Sequence, residues 1–86
     1  MHEVEWGRGA AGRLAHVWTL APDRDAVTRA SHALDVMLAD DPRCPDSESR
    51  EGDDRVAFAA PLGVRYLIDP AARRVIVFDC WLYRTR

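Results

Sequence analysis

Three strand-like segments follow one another in the last third of the sequence, and this feature most constrains the fold. Residues 55–60, 61–69 and 74–81 are rich in β-branched and aromatic side chains, and Pro61 and Pro70 mark the turns between them. Runs of this kind that are separated by short turns pair as consecutive antiparallel strands. The sequence therefore predicts a three-stranded meander at the C-terminal end.

The first half of the sequence has the patterns of one short strand and two helices. Residues 2–6 alternate between apolar and charged side chains, which predicts a half-buried strand. Apolar residues recur every three or four positions over residues 9–20 and again over 22–39, as they do on one face of a helix. We therefore expect one α+β domain over residues 1–86, with element order β-α-α-β-β-β. Two N-terminal helices would pack on one face of a small, mostly antiparallel sheet.

The demand for one apolar sheet face predicts the strand register. Pairing Phe58 with Val64 and Tyr66 with Phe78 would place all four side chains under the helices. Residues 42–54, which are mainly polar, are expected to form a loop. The other face of the sheet would then carry Arg55, Arg65, Asp79, Trp81 and Tyr83.

The residues on that second face suit either binding or ordinary packing. An arginine can bind a phosphate with two parallel hydrogen bonds, and aromatic rings can stack on nucleobases. The simpler interpretation is that Arg65 and Asp79 form a cross-strand ion pair. Trp81 would then pack against Trp6 or the helices.

Composition limits the possible chemistry. All 12 basic residues are arginine, so a Schiff-base lysine and a P-loop lysine are excluded. The net charge of −2 argues against indiscriminate binding of nucleic acid, although the six arginines from residue 55 onward make the C-terminal part basic. Cys44 and Cys80 are expected to be free thiols, and no metal or cofactor is predicted. The sequence has no signal-peptide pattern and no apolar run long enough to cross a membrane, so a cytoplasmic protein is expected.

The C-terminal segments resemble the RelE/ParE toxin superfamily. The resemblance is carried by Pro61-Leu-Gly-Val-Arg-Tyr-Leu-Ile-Asp69, by Arg74-Val-Ile-Val-Phe78, and by arginines that follow the last strand. A Val-x-Trp opening strand, two helices and a helix end at residues 38–42 are similar as well. The resemblance implies a small sheet packed on two N-terminal helices. It also implies the toxin half of a type II toxin–antitoxin pair, which a cognate antitoxin holds inactive.

The resemblance also implies roles for individual residues. In the RelE-like branch, which cuts mRNA on the ribosome, Arg65, Arg84 and Arg86 would be catalytic. They would orient the scissile phosphate and stabilise its extra charge. Tyr83 would stand in for a tyrosine that family members carry after the last arginine, and Arg55 lies near the positions of family lysines. Arg55, Asp79 and Trp81, which the predicted register places on one face, would contact nucleic acid or a partner. Two alternatives remain open, a ParE-like poison of DNA gyrase and a non-toxic interaction domain of the same fold.

Overall fold

The computed structural model describes residues 1–45 and 47–83. Its strands and helices, in chain order, are β1 (Glu3–Trp6), α1 (Arg8–Leu20), α2 (Arg24–Asp40), β2 (Ser47–Glu51), β3 (Asp54–Ala59), β4 (Leu62–Asp69) and β5 (Arg74–Leu82). They form a five-stranded sheet in the order β1-β5-β4-β3-β2, in which β1 runs parallel to β5 and the other pairs are antiparallel. The predicted α+β class is confirmed, with one strand added.

The added strand corrects the prediction of a loop over residues 42–54. β2 pairs with β3 at the edge of the sheet, and Ser47 lies opposite Ala57. Only Ser47 of this strand is buried, and the other four side chains are exposed. An edge strand with solvent on both faces needs no apolar alternation, so its sequence gives no strand signal.

Local contacts fix both helices. Gly7 precedes α1 and donates its backbone N–H to the carbonyl of Val77 at 2.8 Å, which ties the start of the helix to β5. Asp23 caps α2, because its carboxylate accepts the N–H of Ala26 at 3.0 Å. Neither helix is long and apolar enough to cross a membrane.

The core lies between the two helices and one face of the sheet, here called the inner face. Its helical residues include Ala10, Val17, Val27, Leu34 and Leu38, and its sheet residues include Leu62, Val64, Tyr66, Ile68, Val75, Val77 and Cys80. The Tyr66 ring is fully buried, and its hydroxyl donates to the carbonyl of Pro42. This bond satisfies the one polar atom that the ring carries into the core.

The predicted strand register is wrong by one residue in the first hairpin. Ala57, not Phe58, lies opposite Val64, so Phe58 leaves the core. In the second hairpin Val64 lies opposite Cys80 and Arg65 opposite Asp79, but a bulge between Arg65 and Tyr66 shifts the pairs that follow. Tyr66 therefore lies opposite Val77 rather than Phe78. Phe78 is 42% exposed, so its predicted place in the core is also wrong.

Candidate nucleic-acid interface

The face of the sheet opposite the helices, here called the outer face, has no helical cover in the part of the chain described. By the observed register it carries Val56, Phe58, Gly63, Arg65, Leu67, Ile76 and Trp81. None of these residues belongs to the cluster that the helices bury. The side chain of Leu67 is 43% exposed, and that of Phe78 is 42% exposed. Val56 is buried, but the rest of the outer face presents accessible apolar side chains beside the cationic Arg65.

Three aromatic side chains gather on this face around a glycine. Phe58, Gly63 and Trp81 lie opposite one another on β3, β4 and β5. The Phe58 ring meets Trp81 edge-on at 6.2 Å between centroids, and Tyr83 at 4.8 Å. The backbone N–H of Tyr83 donates to the carbonyl of Pro61, which fixes the chain just beyond β5. We call Phe58, Trp81 and Tyr83 the aromatic cluster.

Arg65 stands next to this cluster, two residues along β4 from Gly63. Its Nε and one terminal nitrogen donate to the two carboxylate oxygens of Asp54, at 3.0 and 2.6 Å. The guanidinium also lies 5.3 Å from the centre of the Phe78 ring. The hydrogen bonds with Arg65 lower the pKa of Asp54, and the same bonds raise the pKa of Arg65. Both side chains are therefore held in their charged forms.

The predicted ion pair between Arg65 and Asp79 is not observed. The two residues do lie opposite each other on β4 and β5. However, the Asp79 carboxylate accepts the N–H of Cys80 at 2.8 Å and lies 3.5 Å from Arg13 on α1. Asp54 is therefore the hydrogen-bonded partner of Arg65, although the nearby charge of Asp79 also raises the pKa of Arg65.

The predicted position of Arg55 on the same face as Arg65 is also wrong. Arg55 lies opposite Tyr66, a core residue, so its side chain belongs to the inner face, next to the edge strand β2. Its guanidinium donates to the hydroxyl of Ser47 at 2.8 and 3.1 Å. The one-residue change of register is the cause, because it exchanges the two faces of β3.

Comparison with known proteins gives matches to solved structures. A chain of the toxin–antitoxin complex RelBE2 from Mycobacterium tuberculosis superimposes with a TM-score of 0.76 at 14% identity, over 94% of this chain and 90% of that one. The isolated E. coli RelE toxin superimposes with a TM-score of 0.67 at 13% identity, over 100% of this chain and 88% of that one. A chain of the intact E. coli RelBE toxin–antitoxin complex superimposes with a TM-score of 0.65 at 14% identity, over 100% of this chain and 100% of that one. This chain has the RelE-type fold.

No protein-family model matches the sequence, and no curated protein matches it. The solution structure of the conserved hypothetical protein HP0892 from Helicobacter pylori gives a TM-score of 0.62 at 15% identity, over 95% of this chain and 94% of that one. The structural matches cover nearly all of the chain. The resemblance found in the sequence is therefore confirmed at the level of the fold.

On the RelE-type fold, the structure brings together only part of the predicted site. Arg65, Trp81 and Tyr83 lie on or beside the outer face. Asp79 lies opposite Arg65 but contacts Arg13, and Arg55 belongs to the inner face. Arg84 and Arg86 lie outside the described residues, so their predicted catalytic role stays a prediction.

Sequence reasoning missed Asp54, Phe58 and Phe78 on this face. Asp54 could have been found only from the correct register, in which it lies diagonally across from Arg65.

A second surface of this chain is an apolar groove between the two helices. Leu14 and Trp18 of α1 and Val27 of α2 line it, and its volume is about 530 Å³. Trp18 is 42% exposed and lies 4.8 Å from the guanidinium of Arg24. Across residues 1–45 and 47–83, no three histidine, cysteine or acidic side chains are grouped as metal ligands would be.

Proposed function

We propose that this chain is the toxin of a type II toxin–antitoxin pair and that it cuts mRNA on the ribosome. The observation that carries this proposal is the position of Arg65 beside the aromatic cluster on an uncovered face of a RelE-type fold. A guanidinium can bind a phosphate with two hydrogen bonds, and flat rings beside it can stack on bases. Single-stranded RNA offers both groups at neighbouring positions.

The reaction that suits this surface needs little covalent chemistry from the protein. The 2′-hydroxyl of the RNA would lose its proton to water and attack the adjacent phosphorus to form a 2′,3′-cyclic phosphate. The 5′-oxygen of the next nucleotide would leave and take up a proton from water. Arg65 would orient the phosphate and stabilise the negative charge that its oxygens gain during the attack. Removal of one such donor typically lowers the rate by about 10²–10³-fold. Arg84, Arg86 and Tyr83 would contribute as the family resemblance implies.

An antitoxin is the expected partner. Two of the matched structures are RelBE toxin–antitoxin complexes, and this similarity supports a partner of the same kind. The groove beside Trp18 is one apolar surface that such a partner would cover. The same proposal places the protein in the cytoplasm, where the ribosomes are.

A gyrase poison is the second candidate, and two observations favour it. The net charge is −2 and lysine is absent, which is unusual for a protein that enters a ribosome. In addition, Arg65 is already paired with Asp54. A toxin that acts by binding another protein would need neither a basic surface nor a free arginine.

Purified protein in a reconstituted translation system distinguishes the two candidates. Wild type should cut ribosome-bound mRNA, which primer extension detects as new 5′ ends. Arg65→Ala should cut at least about 10²-fold more slowly. Arg74→Ala is the matched control, because Arg74 is also a half-exposed strand arginine beside an acid, Glu5, at 3.9 Å. The same three proteins are added to DNA gyrase during a supercoiling assay. Inhibition of gyrase without mRNA cleavage would overturn the nuclease in favour of the second candidate.

A further inference from the structure

The guanidinium of Arg65 is occupied by a carboxylate from its own chain. Asp54 accepts two of its N–H groups in a side-by-side arrangement, and the Asp54 side chain is only 21% exposed. This is the geometry in which arginine binds carboxylates and phosphates alike. Asp54 therefore fills the edge formed by Nε and one terminal nitrogen, which is one of the edges where a phosphodiester could bind Arg65 with two hydrogen bonds.

A phosphate that takes this edge of the Arg65 guanidinium must displace the carboxylate, and one that binds the remaining N–H groups would lie beside it. The Asp54 carboxylate and a phosphodiester each carry one negative charge, so exchanging one for the other adds no ion pair to Arg65. The released Asp54 carboxylate would also remain near the incoming phosphate, since both residues lie on adjacent strands of the outer face. Like charges at that separation repel each other. Both effects lower the affinity of the face for a phosphate.

We propose that Asp54 is an internal competitor for the anion site of Arg65 and weakens the binding of RNA to the outer face. The inference rests on the proposed function in one respect, namely that the anion is an RNA phosphodiester. Asp54 thereby makes binding depend on contacts beyond Arg65, such as base stacking on the aromatic cluster. A bare phosphate lacks these contacts and would not displace the carboxylate.

The neighbouring residue Asp53 provides a matched control. It also pairs with an arginine, Arg43, at 2.7 Å, and both side chains are about half exposed. Asp54→Asn and Asp53→Asn change the net charge by the same amount at adjacent positions. A gain in RNA affinity that comes only from the lost negative charge would therefore appear in both variants. A gain that comes from the release of Arg65 would appear only in Asp54→Asn.

The experiment measures binding of a short single-stranded oligoribonucleotide whose 2′-hydroxyls are methylated, so that it cannot be cut. Fluorescence anisotropy gives the dissociation constant for the full chain at one fixed ionic strength. Asp54→Asn should bind about fivefold or more tightly than Asp53→Asn. In the double variant Asp54→Asn, Arg65→Ala, the gain should disappear. Equal affinities for the two Asn variants, or a gain that survives in the double variant, would overturn the proposal.

A second measurement uses the wild-type protein and does not depend on the folding of a variant. During titration with the same oligonucleotide, the NMR signals of the Arg65 Nε–H and of the Asp54 carboxyl carbon are followed together. Displacement predicts that both move over the same concentration range. Movement of the Arg65 signal without that of Asp54 would contradict it, and so would no movement of either signal.

The outcomes separate this inference from the proposed function. Tighter binding by Asp54→Asn without mRNA cleavage by any variant would support the competitor and refute the nuclease. Cleavage by wild type with no difference between the two Asn variants would support the nuclease and refute the competitor.

Discussion

Trp81 lies across the backbone of Gly63, and a Cβ at position 63 would come within 2.6 Å of the indole ring. The two residues face each other on β5 and β4. Because glycine has no side chain, the indole can lie close to the sheet and still meet Phe58 edge-on. The aromatic cluster beside Arg65 therefore depends on a glycine at this position.

Gly63→Ala should displace the Trp81 ring and lower the free energy of unfolding by about 1–3 kcal/mol, the usual cost of overpacking. Gly12→Ala is the control, since a Cβ there meets nothing within 4 Å and the position lies inside α1. That change should stabilise the protein by up to about 1 kcal/mol. Urea unfolding measures both effects. Equal stability of Gly63→Ala and wild type would contradict the close contact.

The pKa of Asp54 should depend on Arg65. The hydrogen bonds from Arg65 are the main cause that lowers it, and the charges of Arg65 and Arg50 add to the effect. NMR titration of the carboxyl carbon should give a pKa below the ordinary value of about 3.9. In Arg65→Ala the pKa should rise toward that value. An identical pKa in both proteins would show that the pair does not form in solution.

The same shift predicts how stability depends on pH. A carboxyl whose pKa is lower in the folded state stabilises the fold above its unfolded pKa, about 3.9. That contribution is lost as the pH falls through the lower, folded pKa. Asp54→Asn should therefore be less stable than wild type at neutral pH, and the difference should shrink in acid. A difference that stayed constant across this range would contradict the assignment.

The order of the elements could be predicted from the sequence, whereas the register could not. Helical periodicity and turn residues are local signals, and they located every element except β2. Register depends on which side chains fit beneath the helices. In the structure the small Ala57, rather than Phe58, lies opposite Val64 and is buried beneath the helices. The bulge that turns Phe78 outward breaks the alternation on which the prediction relied.

Prediction of the candidate site was limited in the same way. Arg65, Trp81 and Tyr83 could be found because strand alternation and the family resemblance both indicate them. Asp54 could not, since its meeting with Arg65 depends on the register. Shifting β3 by one residue exchanges Arg55 for Asp54 as the charged neighbour of Arg65.

Cys80 should be an unreactive thiol in the folded protein. It is fully buried, and this burial raises its pKa to about 11, so the reactive thiolate is scarce at neutral pH. In Cys44→Ser, where Cys80 is the only cysteine, a chromogenic disulfide reagent should react slowly with native protein and rapidly after denaturation in guanidinium chloride. Reaction of the native protein at the rate of a free small thiol would contradict the burial.

The most direct test of the central claim is bacterial growth during tightly induced expression of wild type, Arg65→Ala and Arg74→Ala. All three proteins are compared at equal soluble levels. If the chain is a toxin that acts through Arg65 on the outer face, wild type and Arg74→Ala should arrest growth and Arg65→Ala should not. Arrest by Arg65→Ala as strong as that by wild type, or normal growth with wild type, would contradict the account.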